Sequence, residues 1–235
     1  MKRWRTIHHQ LMRQYRWQPS IKPGILILGA GGHGKVVADI LQCQKIQVMG
    51  FLDDDSTRWG TLQLDLPVLG PVESYAQYAP DGLVIGVGNL EARQDIVRRL
   101  GTQAHPLWRD AIHPRAIIAR SVQLGRGVMV AAGAVVNPDA VLGEHVIVNT
   151  GCTIDHDSVV GDFSHIAPGA HLAGGVTIGR ETLIGIGATV IEGKYVGDRA
   201  VVGAGAVVIH DISDGMTAVG VPARVNALAL SKVKR

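Results

Sequence analysis

His156 is one of ten histidines, side chains able to move a proton near neutral pH because an imidazole titrates there. Such a base could deprotonate an amine or a hydroxyl as it attacks a thioester, the step that acyl transfer requires. Taken alone, the same histidine reads equally as a solvated side chain. Cys152 offers a thiol four positions earlier, either as a covalent nucleophile or as a small buried side chain. A third constellation is Gly29-x-Gly31-x-x-Gly34, a glycine turn suited to seat a pyrophosphate on a helix N-terminus. Asp53 and Asp54 follow about 20 residues on, where a ribose contact is expected. The alternative for the Asp53-Asp54-Asp55 run is a solvated turn, and Asp55 is assigned to it.

Two kinds of element must position these groups. Ile25–Leu28 reads as a buried strand that enters the glycine turn, and residues 35–45 have helical spacing. Val48–Leu52 is a second strand ending at the aspartates, residues 83–87 a third ending at Gly88, and residues 91–100 a charged helix with apolar Ile96, Val97 and Leu100. Strands alternating with helices predict a parallel sheet with its ligand at the carboxyl ends of the strands.

From Ile112 the pattern changes. An aliphatic residue recurs every six positions through Val208, without an exception among 17 positions. Four residues after each comes a mostly small one, such as Ala134, Cys152 or Ser164, with Lys194 the clear exception. This period predicts a hexapeptide parallel β-helix: three hexads close a triangular coil, and coils stack at about 4.8 Å. Sixteen hexads make a column roughly 25 Å tall. Asp214-Gly215 is expected to break the hexad pattern. Cys152 takes a small, inward position, which favours the buried reading. His156 lies two positions after inward Ile154 and should face outward. One coil later stands Gly174, which would leave a groove beside the histidine for an extended thioester arm.

Composition agrees with a narrow column. Aromatics are 4% and glycines number 30, whereas 46% of residues are hydrophobic. Wide rings do not fit such an interior. Six of the 23 basic residues and none of the 20 acidic ones lie in residues 1–23; the remaining 17 against 20 leave the body at a formal −3, which removes the case for nucleic acid. Residues 1–23 read as a membrane-surface or partner-binding arm or, the expectation adopted here, as a poorly ordered extension. No apolar run approaches the ~20 residues of a membrane span. Two distant cysteines fit a reducing, cytoplasmic setting. The expected organisation is an extension over 1–23, an α/β Rossmann-like nucleotide-sugar domain over 24–108, an all-β parallel helix over 109–225 and a tail over 226–235.

Residues 25–225 resemble the sugar O- and N-acetyltransferases of the sialic acid O-acetyltransferase and bacillosamine-pathway type. The resemblance rests on Ile27-Leu-Gly-Ala-Gly-Gly-His-Gly-Lys35, Phe51-Leu-Asp-Asp54, Asn149-Thr-Gly-Cys-Thr-Ile-Asp-His-Asp157, Gly161-Asp-Phe-Ser-His165 and Gly220-Val-Pro-Ala223. It implies a left-handed column, a homotrimer with sites between subunits, and acetyl-CoA as donor. His156 would be the general base and Asp157 the acid that raises its basicity. His165, Gly174, Ile186 and Asn149 would lie along acetyl-CoA. Gly31, Gly32, His33, Asp53, Asp54 and Gly88 would hold a nucleotide-linked sugar. The acceptor expected is the amine of a UDP-linked 4-amino-4,6-dideoxy sugar, with GDP-perosamine and a sialic acid hydroxyl as alternatives.

Three other uses compete. The glycine fingerprint admits NAD, but only about 85 residues precede the column, little more than half a dinucleotide fold. A mute column could bind a nucleotide sugar without catalysis; the presence of both His156 and Asp157 argues against that. Gamma-class carbonic anhydrases hold zinc between such columns through histidines at a spacing that His165 and His171, six apart and on different triangle edges, do not reproduce. No metal is expected.

Overall fold

The computed structural model describes residues 24–225; the expectations for 1–23 and 226–235 lie outside them. Strands β1 (Ile25–Leu28), β2 (Val48–Leu52), β4 (Leu66–Gly70) and β5 (Gly82–Ile85) form a parallel sheet, edged by antiparallel β3 (Leu62–Gln63), in the order β3-β4-β2-β1-β5. Helix α1 (Gly32–Cys43) buries Val37, Ala38, Ile40 and Leu41, the stripe its helical spacing dictates. It starts three residues earlier than expected, inside the glycine turn, with no side-chain cap on Gly31. Gly34 permits this: a Cβ there would lie 2.2 Å from Gly29 O, so helix and strand meet backbone to backbone. Helix α2 (Leu90–Ala104) is capped by Asn89, whose side chain accepts from Ala92 N–H at 2.9 Å, and it breaks at Gly101, where φ is 61°.

The hexads then build an α/β-plus-column architecture that ends in a left-handed parallel β-helix. Each aliphatic residue closes a two-residue strand, and each strand pairs in parallel with the one 18 residues on, as Val136 does with Ile154 and Ile154 with Leu172. Three sheets form the triangle's faces, and the aliphatic and small positions make one continuous core. The third residue after each aliphatic one is left-handed from Gly127 to Gly205. Six of these corners are not glycine, among them His145, Asp157 and Phe163. The hexad period fails just before Asp214-Gly215, where Ile212 bridges Val196 at a spacing of 16, and the column continues beyond it. Thr217–Val219 still pairs in parallel with Val201–Val202, at a spacing of 16 rather than 18, so the last coil is only two residues short.

The buried hydroxyls of the column have a single logic. Ser158, Ser164 and Thr182 each donate to the carbonyl 15 residues ahead and accept from the N–H 18 ahead. Cys152 occupies the same slot, its Sγ 3.0 Å from Ala167 O. Burial pushes its thiol pKa up, which suits a packing residue and not a nucleophile.

The α/β unit sits on one face of the column: α1, β1 and β2 pack against Ala111, Met129, Ala131 and Ile147. The outward row Ala111, Met129, Ile147, His165, Leu183 runs up this face. Its first three members are buried, His165 is half-buried and Leu183 is exposed. His165 therefore stands at the rim where the covering ends.

Candidate active site

His156 sits at the corner between strands Thr153–Ile154 and Val159–Val160. Its Nδ1 lies 2.7 Å from Asp157 Oδ2. A carboxylate only accepts, so Nδ1 carries the proton and Nε2 presents a free lone pair. Asp157 reaches it from a left-handed corner with φ 58°, a conformation aspartate tolerates. Behind the pair, Asp155 Oδ1 accepts His156 N–H at 2.8 Å and Asn137 Nδ2–H at 2.9 Å. The Asp157 hydrogen bond, then the charges of Asp155, Asp157 and Glu192, raise the imidazole pKa above 6.5. The ring lies against Gly174, where a Cβ would stand 2.7 Å from both Cε1 and Nε2. The space the glycine opens is thus filled by the imidazole itself, and not left as an empty groove.

At the carboxyl ends of β1, β2 and β5 a cavity of about 160 Å³ is lined by Gly29, Asp53, Asp54, Val87, Ile96 and Arg99, among others. Both aspartates face it, but both are already engaged. Asp53 accepts from Ala30 N–H at 2.6 Å and Asp55 N–H at 2.8 Å, which ties β2 to the glycine turn. Asp54 accepts from Val72 N–H and pairs with Arg99 at 2.6 Å. Asp55 caps the short turn at Ser56–Arg58, as a turn residue should. Nothing lies within 4 Å of a Cβ built on Gly31 or Gly32, so the N-terminus of α1 opens onto free space. Arg58 donates to Ala30 O at 3.0 Å beside it, a cation that no motif had singled out.

His33, Gly88, Asn149 and His165 meet at the junction of the two units. Asn149 Oδ1 accepts Thr150 N–H at 2.8 Å, so its Nδ2 donates to His165 Nε2 at 3.2 Å, and His165 carries its proton on Nδ1. Burial, with the Arg93 charge nearby, lowers His33 to about 4; burial, Arg93 and His33 lower His165 to about 3. Both rings are neutral at physiological pH. Ile186 stands exposed on the edge that carries Asn149 and Thr150, two coils further along. The sequence-read residues thus fall into two groups on one chain: the junction beside the nucleotide crevice, and His156 with Asp157 and Gly174 at a corner of the column.

Known proteins share this fold. The PglD N-terminal domain family matches residues 24–100. A histidine-to-asparagine mutant of perosamine N-acetyltransferase from Caulobacter crescentus, solved with CoA and GDP-perosamine, is 37% identical, with a TM-score of 0.82 over 88% of this chain and 98% of that one. The chain belongs to this family of sugar N-acetyltransferases. The acetyltransferase domain of PglB from Neisseria gonorrhoeae, in complex with acetyl coenzyme A, matches at 37% identity and TM-score 0.79, covering 86% of this chain and 98% of that one. Among curated sequences, UDP-N-acetylbacillosamine N-acetyltransferase of Bacillus subtilis is 35% identical over 123 residues, 46% of this chain and 51% of that protein. An uncharacterized mimivirus protein is 31% identical over 121 residues, 52% of this chain and 24% of that protein. The chain spans about half or less of these two curated relatives.

For a sugar N-acetyltransferase, a metal ligand set is the remaining question. Among the described residues, one group, Asp39, Cys43 and His113, brings three candidate ligand atoms within 4.8 Å of one another. His113 Nδ1 accepts Arg115 N–H at 2.9 Å, so the neutral ring is protonated on Nε2 and offers no lone pair to a cation. His165 and His171 stand on different faces, and His171 Nδ1 lies 2.9 Å from Thr153 Oγ1.

Proposed function

We propose that this chain transfers the acetyl group of acetyl-CoA to the amine of a nucleotide-linked 4-amino-4,6-dideoxy sugar, with His156 as general base in a ternary complex. The observation that carries the reading is the His156–Asp157 pair: a single tautomer with its free lone pair on Nε2 and a raised basicity, at one exposed corner. Nε2 takes the proton as the amine attacks the thioester carbon. The C–S bond then breaks, and the thiolate leaves as the thiol with the proton from the imidazolium. His165, neutral and protonated on Nδ1, is a donor suited to a carbonyl oxygen near it, and Asn149 fixes its ring. Gly174 and Ile186 complete the proposed donor path. On the acceptor side, Gly31, Gly32, His33 and Gly88 receive the diphosphate and sugar at the open end of α1, with Arg58 beside them, and Asp53 and Asp54 face the nucleoside.

UDP is the nucleotide that the sequence resemblance implies. GDP is the second reading, favoured by the Caulobacter structure that holds GDP-perosamine. The test offers UDP-, GDP- and CMP-linked sugars with acetyl-CoA and follows thiol release. Release with a UDP- or GDP-linked amino sugar supports the reading and names the nucleotide. Sugar binding without release from any acceptor overturns it in favour of a scaffold, and NAD(H) binding without sugar binding in favour of a dinucleotide protein.

The separation of the two residue groups supports a shared site. His156 occupies the corner between two faces, whereas the α/β unit covers the third. A homotrimer in which the corner of one copy meets the crevice of the next unites them, and exposed Val159 and Tyr195 beyond that corner give apolar contact area. Co-expression of His156→Ala with Gly32→Trp, which fills the open crevice, is expected to restore activity that neither variant has alone. No recovery in mixed oligomers would place the whole site within one copy.

The pH profile tests the acid partner. His156 must be neutral to accept a proton, so turnover falls as pH drops through its raised pKa. Asp157→Asn removes the largest cause of that elevation. The acid limb of kcat is expected to move to lower pH; an unmoved limb would separate Asp157 from the base.

A further inference from the structure

Arg93 is an anomaly of this fold. It lies in α2 on the buried stripe with Ile96, Leu100 and Ala104, where an aliphatic side chain would be expected, and it is 1% exposed. Among the described residues no carboxylate pairs with it, and its Nε has no partner. A buried, unpaired guanidinium is costly to keep, so a specific task is implied. Its contacts identify that task. Nη1 donates to Gly88 O at 3.3 Å, and Nη2 donates to Phe163 O, 70 residues further along the chain. Gly88 belongs to the loop that follows β5, and a Cβ on it would lie 3.8 Å from the His33 ring. Phe163 is a left-handed corner of the column, two residues before His165. Its ring stacks on His145 at 4.9 Å, and His145 meets Trp108 edge-on at 5.0 Å, which braces the corner from below.

We propose that Arg93 is a positioning residue that clamps the nucleotide-sugar loop to the acetyl-donor corner, and so fixes His33 and Gly88 against His165 and Asn149. The planar fork is what the task needs: two N–H groups point to two carbonyls from different units, a reach that a single ammonium does not reproduce. The proposal rests on the acetyltransferase reading for its kinetic consequence, but its structural part does not.

The experiment compares Arg93→Lys and Arg93→Gln with the unmodified full chain in two ways. The first needs no substrate: imidazole resonances of His33 and His165 are followed by NMR, with His156 on another part of the column as internal control. Both junction signals are expected to shift in each variant while His156 stays in place. The second uses the nucleotide sugar that the unmodified chain turns over. A rotated half-site leaves each substrate bound near its original affinity and lowers kcat, by about 10²-fold for a displacement near 1 Å. Arg93→Lys is expected to recover little of the loss. Unshifted junction signals, or kcat within twofold of the original, overturn the proposal. Parallel loss of Tm and of both affinities overturns it too, since that outcome marks a packing residue only. If the unmodified chain transfers no acetyl group, the functional reading fails, while the resonances still decide the clamp.

Discussion

Replacing His156 with alanine is expected to lower kcat by roughly 10²- to 10⁴-fold while acetyl-CoA and the nucleotide sugar still bind. The loss follows from what Nε2 alone provides. A protonated sugar amine is not a nucleophile, and the neighbouring groups at that corner, Asp155 and Asp157, are carboxylates with other tasks. Asp155 accepts the His156 backbone N–H and the Asn137 amide, and Asp157 accepts the imidazole Nδ1–H. Among the described residues no other imidazole shares that corner with such a carboxylate. His165 sits on another face, and burial together with Arg93 leaves it too weakly basic to compete. His171 is turned toward Thr153. The fold has little stake in the ring, which is more than half exposed. The measurement is steady-state turnover beside separate binding titrations of the two substrates. Turnover within tenfold of the original, or loss of binding in parallel with turnover, would remove His156 from the role of base.

Gly174→Ala is expected to produce the second large effect, again in kcat and not in stability. The new methyl would stand 2.7 Å from Cε1 and Nε2 of His156, closer than van der Waals contact allows. Something must move. The corner backbone is held between its neighbouring coils, with Gly175 N–H donating to His156 O at 2.8 Å and Gly193 N–H donating to Gly174 O at 2.9 Å. The imidazole is the exposed, rotatable partner, so it swings outward. A base displaced by about 1 Å loses on the order of 10²-fold in rate. Because the ring relaxes into solvent, Tm is expected to stay within a few degrees of the original. A variant with full activity would show that the ring's position over Gly174 is not the reactive one. One that unfolds would show that the glycine serves the coil itself.

Much of this was legible in the chain because a strict period leaves a column few alternatives. The aliphatic residue at every sixth position, the small residue four later and the outward direction of His156 all follow from the triangle. Where the readings fell short, the cause is local. The hairpin of β3 and β4 turns on Leu64 and Asp65, with φ of 50° and 61°, and carries none of the Asn-Gly signal that such a turn normally shows. The last coil loses two residues, which a fixed period cannot follow. The role of Arg93 is hidden in the sequence for a physical reason. An arginine in a charged helix reads as a solvated side chain, and only the position of α2 against the column turns it inward. The spacing of Asp53 and Asp54 places them at one crevice, but their engagement by Ala30, Asp55, Val72 and Arg99 depends on contacts from four separate segments. Gly174 shows the opposite case: its place one coil beyond His156 could be counted, while the use of its missing side chain could not.

The most direct measurement of the central claim is the fate of the acetyl group. The full chain would be incubated with acetyl-CoA carrying an isotopic label in the acetyl group and with a nucleotide-linked 4-amino-4,6-dideoxy sugar that it turns over, and the sugar product isolated. The account predicts one labelled acetyl on the amine nitrogen for each thiol released, with none in a His156→Ala preparation that binds both substrates. Label on a hydroxyl oxygen, thiol release without a labelled sugar, or undiminished labelling by His156→Ala would contradict it.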